Sequence, residues 1–213
     1  AVMGMFFYQG QVCMGSSRIL VEAPVYDEFL KRFKGITSSL GFGDLRDPRT
    51  VTGPIISQRQ RDRVRQHIED AVANGATLET GGVWDGNRCS STILTGVKKG
   101  MTCYYEETFG PVTAVYKVDS ADEALAIAND TTYGLSAAVY TQNLAEAMRL
   151  AQGIHTGMVH VNAPSLQDEP HVPFGGIGDS GMGREGAATD IDHCTEWKWI
   201  TIQAPAPKGA PAH

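Results

Sequence analysis

The chain has 213 residues, 42% of them hydrophobic and 20% charged, and 18 basic against 24 acidic side chains leave a net charge of −6. That is enough apolar material for one ordinary globular core, so one domain with a tail is expected. The basic residues are scattered, which argues against nucleic acid as a partner. No apolar run approaches the roughly 20 residues that cross a bilayer, and no leader of charged then apolar residues opens the chain. The expectation is a soluble, cytoplasmic protein.

The opening Ala1-Val2-Met3-Gly4-Met5-Phe6-Phe7 is apolar without a polar approach and reads as a cut edge. Arg18 to Glu22 reads as a short buried strand, after which Tyr26, Phe29, Leu30, Phe33 and Leu40 recur at helical spacing. Ser57-Gln58-Arg59-Gln60 has the pattern of a capping box, with Val64, Ile68, Ala71 and Val72 on one helical face and Gly75 as the stop. Val112 to Val118 is rich in β-branched and aromatic residues, as a strand is, and Ser120 with Glu123 opens a further capped helix carrying Leu125 and Ile127. A strand from Ser136 to Thr141, a helix from Leu144 to Ala151 ended by Gly153, and a strand from Met158 to Val161 continue the alternation. Strands alternating with helices at this pitch imply parallel crossovers. The predicted fold is therefore α/β, a mostly parallel sheet with helices on both faces.

From Pro173 to Gly186 six glycines in fourteen residues mark a shaped loop. Thr195 to Gln203 alternates large apolar with polar residues, as an edge strand does, and is the candidate for pairing with another copy of the chain. Ala204 onward is rich in Pro and Ala and reads as a flexible tail.

The four cysteines, Cys13, Cys89, Cys103 and Cys194, lack the C-x-x-C spacing of a zinc or redox site, so neither a metal nor a disulfide framework is expected. A lone cysteine is most often an inert buried thiol. Cys13 differs in its setting, Gln9-Gly10-Gln11-Val12-Cys13-Met14, where a glycine permits close backbone approach and a turn leaves N–H groups to stabilise an oxyanion.

This segment resembles the aldehyde dehydrogenase superfamily, whose nucleophile motif G-Q-x-C with a downstream arginine is matched by Gly10-Gln11-Val12-Cys13 and Arg18. Glu106-Glu107-Thr108-Phe109-Gly110-Pro111-Val112 is similar to the family's E-E-x-F-G-P-V, and Asn129 through Gly134-Leu135-Ser136 to its N-x-x-x-Y-G-L-S/A run. Gly157 to Asn162 and the glycine-rich stretch from Pro173 to Gly186 match two more segments in the right order. The resemblance implies a catalytic domain over 1–187, an oligomerisation strand over 188–203 and the tail over 204–213. It also implies that Cys13 attacks an aldehyde to give a thiohemiacetal, whose carbon passes hydride to NAD or NADP and leaves a thioester that water releases as the acid.

Carried over residue by residue, Glu107 and Phe109 would lie against the nicotinamide ribose, and Gln60 and Arg63 would approach the cofactor from a helix. Phe7 and Phe174 fall where the family has aromatic residues around the substrate tunnel, with Ala163 to His171 shaping its mouth. His171 reads as a loop contact and not as a base. Met14 and the T-E-x-x-W-I-T-I strand from Thr195 resemble the aryl-aldehyde members, while Tyr8 departs from the Asn or His usual before Gln-Gly-Gln. The family's dinucleotide-binding domain, its water-activating glutamate and its oxyanion-hole asparagine are not found in these residues, so the chain is expected to be inactive alone. Alternatives are a dehydrogenase that passes its acyl group to coenzyme A, a non-catalytic oligomerisation module, and a thiol hydrolase pairing Cys13 with a histidine.

Overall fold

The computed structural model describes residues 1–186 and 188–204. The chain opens with helix α1 (Val2–Phe6), which buries Gly4, Met5 and Phe6, and a 3-10 turn (Phe7–Gly10) in which Tyr8, Gln9 and Gly10 all take positive φ. Strand β1 (Arg18–Glu22) runs into α2 (Ala23–Ser38), which has a proline in its first turn, where the missing N–H has no helical partner anyway. A short parallel pair, β2 (Gly41–Phe42) with β3 (Thr50–Thr52), leads to α3 (Gln58–Ala73). Next come β4 (Thr77–Thr80), the small hairpin β5 (Trp84–Asp85) and β6 (Arg88–Cys89), β7 (Thr92–Thr95) and the single turn α4 (Thr102–Tyr105). The remainder is β8 (Val112–Val118), α5 (Ala121–Asn129), β9 (Tyr133–Gly134), β10 (Ser136–Val139), α6 (Leu144–Gly153), β11 (Met158–Val161), β12 (Ile177–Gly178) and α7 (Ala188–Cys194).

The main sheet has the order β1-β8-β7-β4, parallel except for the antiparallel edge strand β4. Strand β8 explains the architecture, because it is buried on both faces. Val112, Ala114 and Tyr116 pack with Val64, Ile68 and Ala71 of α3, while Val115 points the other way into Met5, Phe6 and Phe33. Period-two alternation splits β7 in the same manner, Leu94 to one cluster and Ile93 to the other. A strand covered on both faces has no solvated side, so its sequence reads as a continuous apolar run. Strands β10 and β11 form a second parallel pair, and β9 pairs antiparallel with β12 of the glycine-rich loop.

The helix caps follow the expected chemistry. Ser57 accepts from the Gln60 N–H at 3.2 Å and Ser120 from the Glu123 N–H at 3.1 Å. The Glu123 carboxylate returns to the Asp119 N–H at 2.6 Å. Gly75 takes φ +98° past the end of α3, where Val72 proves to be 43% exposed and not on the buried face.

The strand from Ser136 stops at Val139, since Asn162 takes over the next bonds, accepting from the Thr141 N–H at 3.0 Å and donating to the Thr141 carbonyl at 2.9 Å. The largest departure is at the C-terminus. Residues 188–194 are the helix α7, and Thr195 to Ala204 enter no strand pair among the described residues. Trp197 and Trp199 are left 97% and 92% exposed. A strand is held by ladder bonds to a neighbour, and no edge within the described chain supplies them. The expected tail lies, beyond Ala204, outside the described residues.

Candidate active site

Cys13 occupies the tip of a β-turn closed by the Gly15 N–H on the Val12 carbonyl at 3.0 Å, and its thiol is exposed. The turn is tied down on several sides. The Ser16 N–H donates to the Gly4 carbonyl at 2.8 Å, the Thr113 hydroxyl to the Ser16 carbonyl at 2.9 Å, and the Ile56 N–H to the Gln11 side-chain oxygen at 2.9 Å. Arg18 spreads its guanidinium over the end of α5, donating to the carbonyls of Ile127 at 2.9 Å and Ala128 at 3.0 Å, in the last turn, where carbonyls run short of helical partners. The N–H groups of Cys13 and Met14 make no hydrogen bond among the described residues, which places two donors beside the thiol.

The other cysteines are poorer nucleophiles or lie elsewhere. Burial pushes the thiols of Cys89 and Cys103 up to about 11, where almost no thiolate forms at neutral pH. Cys194 is exposed but belongs to α7, away from the cavity that Cys13 lines.

That cavity, about 820 Å³, is lined by Cys13, Glu107 and Phe109 together. The contact between the two loops rests on glycine. Gly10 takes φ +65° directly against the Gly110 carbonyl, and a Cβ on Gly110 would come within 2.5 Å of the Val64 side chain. Phe109, 36% exposed, holds φ +49°, a conformation that costs a bulky residue of order 1 kcal/mol and persists only where its surroundings enforce it.

Helix α3 does the enforcing through Gln60, Arg63 and His67, which share one face. Gln60 Nε2 donates to the carbonyls of Thr108 at 2.8 Å and Phe109 at 2.9 Å. Arg63 donates to the Glu107 carbonyl at 2.8 Å and to the Glu106 carboxylate at 3.1 Å. His67, buried, meets the Thr108 hydroxyl at 3.0 Å through Nδ1, and desolvation, with Arg63 nearby, lowers its pKa. The Glu107 carboxylate takes no hydrogen bond from a described residue. It is exposed on its outer side, yet the neighbouring protein displaces enough water to raise its pKa, with Arg63 partly opposing.

The structure thus brings Cys13, Glu107 and Phe109 to one cavity, and sets Gln60 and Arg63 behind the loop, with the contacts described above spent on its backbone and on the Glu106 carboxylate. Gln60 accordingly makes only half of the expected capping box, since its side chain turns to the loop and not back to Ser57. Phe7 and Phe174 do not line the Cys13 cavity. The left-handed pair Tyr8 and Gln9 redirects the chain after Phe7, which stays 54% exposed, and Phe174 is bridged to Glu185 beside a smaller cavity of about 300 Å³. His171 lies exposed in its loop. His67 and Thr108 were not singled out from the sequence, although a histidine between Val64 and Ile68 on an apolar helix face was a signal. Among the described residues no cluster suited to a metal ion occurs, and no helix is long and apolar enough to cross a membrane.

A mixed α/β sheet presenting an exposed thiol at a turn and a braced acidic-aromatic loop defines a class, and comparison gives it a name. Residues 1–200 match the model of the aldehyde dehydrogenase family, and the chain belongs to that family. It is 43% identical over 203 residues to the benzaldehyde dehydrogenase YfmT of Bacillus subtilis, covering 95% of this chain and 42% of the relative. It is 39% identical, with the same coverage, to a vanillin dehydrogenase of Pseudomonas fluorescens. A crystal structure of a salicylaldehyde dehydrogenase from Pseudomonas putida G7 complexed with salicylaldehyde superposes with a TM-score of 0.92 at 38% identity, over 97% of this chain and 43% of that one. The chain therefore spans less than half the length of these relatives.

Proposed function

We propose that this chain carries the nucleophile of an enzyme that oxidises an aldehyde, of aromatic type, to the carboxylic acid with NAD or NADP. The observation behind this is the shared cavity of Cys13, Glu107 and Phe109. Its residues fit a nicotinamide nucleotide: the Glu107 carboxylate is free to accept from a ribose diol, and the Phe109 ring, held by a backbone the chain would not adopt unaided, offers a flat apolar stop. The bound cofactor would supply the two-electron acceptor. Gln60 and Arg63 act on it from behind, by fixing the loop.

The Cys13 thiolate adds to the aldehyde carbon, forming a C–S bond, while the carbonyl electron pair moves to oxygen against the N–H groups of Cys13 and Met14. Loss of hydride from that carbon leaves a thioester on Sγ, and water cleaves it to the acid and the free thiol. The aromatic class is favoured by the relatives, which are named for benzaldehyde and vanillin. A chain of 42% of the relatives' length is expected to turn over only as part of the longer enzyme. The exposed Trp197 and Trp199 also favour pairing of residues 195–203 with a second copy.

The test is competitive alkylation of the cysteines by iodoacetamide at neutral pH, with Cys13→Ser in the full-length enzyme. Cys13 is expected to react faster than Cys194, which is also exposed, and Cys13→Ser to abolish oxidation with the fold intact. Retention of more than about a tenth of kcat would remove Cys13 from the mechanism.

A further inference from the structure

Ser165 lies 151 residues from Met14 in sequence, yet its hydroxyl is 2.7 Å from the Met14 carbonyl. It is 3% exposed, and two other serines meet it: Ser16 Oγ at 2.8 Å from Ser165 Oγ, and Ser136 Oγ donating to the Ser165 carbonyl at 2.8 Å. The directions are fixed by chemistry. A carbonyl can only accept, so the single Ser165 proton goes to Met14, and Ser16 must donate to Ser165.

We infer that Ser165 is a positioning residue for the nucleophile turn, coupling it to the loop that begins at Ala163; this rests on the reading of Cys13 as nucleophile. The Met14 carbonyl belongs to the same peptide unit as the Gly15 N–H, which closes the turn on Val12. A hydroxyl donating to that carbonyl polarises the unit and strengthens its N–H as a donor, and the Ser16 donor strengthens the Ser165 hydroxyl in turn. Ser165 therefore fixes the turn in place and tightens its closing bond, which keeps the Cys13 and Met14 N–H groups aimed beside the thiol. Without it the half-buried Met14 carbonyl and Ser16 hydroxyl lose their partner.

The test uses the chain itself, by residue-resolved amide exchange and by the ratio of Cys13 to Cys194 alkylation rates. In the wild type the Gly15 amide should be protected and the Cys13 and Met14 amides fast. In Ser165→Ala the Gly15 exchange should rise about tenfold and the alkylation ratio change about threefold or more, with the amides of Val112–Val118 unmoved. Ser165→Thr, which keeps the hydroxyl, should restore both, and Ser16→Ala, which leaves the donor to Met14, should stay within about twofold of the wild type. An unprotected Gly15 amide in the wild type overturns the inference, even if Ser165→Ala does not fold. So does a Gly15 change with an unchanged alkylation ratio, or equal acceleration in Val112–Val118, which would make Ser165 an ordinary structural residue. Should Cys13 react no faster than Cys194 in the wild type, the nucleophile reading fails while the exchange result still reports on the turn.

Discussion

Replacing Gly10 with alanine attacks the contact that brings the thiol turn and the Glu107 loop together. Two costs add. At φ +65° an alanine loses about 1 kcal/mol relative to glycine, whatever the space around it. Its Cβ would also overlap the Gly110 carbonyl oxygen and come within 2.6 Å of the Gly110 carbonyl carbon, 0.8 Å inside the 3.4 Å where ordinary contact begins. The obstacle is backbone, so no rotamer change relieves it, and overpacking of this kind costs about 1–3 kcal/mol. The total is about 2–4 kcal/mol, or roughly 4–16 °C in Tm for a chain of this size. Gly86→Ala is the control, because Gly86 takes φ +56° with nothing within 4 Å and should lose only about 2–4 °C. Thermal unfolding followed by circular dichroism measures both. If Gly10→Ala melts within about 2 °C of Gly86→Ala, the two loops do not touch through this glycine and the argument for a shared cavity loses its support.

Arg18→Lys should destabilise the chain by about 1–3 kcal/mol, since an ammonium group cannot span the carbonyls of Ile127, Ala128 and Asp130 that the guanidinium fork reaches. An unchanged urea midpoint would contradict that role. Below pH 6.5 the unfolded chain protonates its histidines before the folded one protonates His67, whose pKa is lowered by burial, so stability should fall as the pH drops from 6.5. His160 shifts in the same direction, so His67→Gln should reduce that slope without removing it; a slope as steep as the wild type's would rule out His67 as a contributor.

The sequence by itself determined those parts whose cause is local. A cap bonds an N–H three residues on, and a helical or strand period shows within one element, so β1 with α2, the starts of α3 and α5, and the alternation of β10, α6 and β11 were all legible. So was the turn that carries Cys13. Strands β4 and β7 were not, because four residues such as Thr92–Thr95, buried on both sides, carry no period that separates them from loop. The C-terminal stretch showed the converse. Its alternation was legible, but a strand also needs a partner's bonds, and among the described residues none is given. What only the tertiary structure decided are the close approaches between distant segments: Gln60 and Arg63 turned to the Glu107 loop, Phe7 and Phe174 left outside the cavity, and Ser165 bonded to Met14. Each depends on how two elements pack, and a hydrogen bond satisfied within 3 Å across 151 residues leaves no trace in the spacing of either segment.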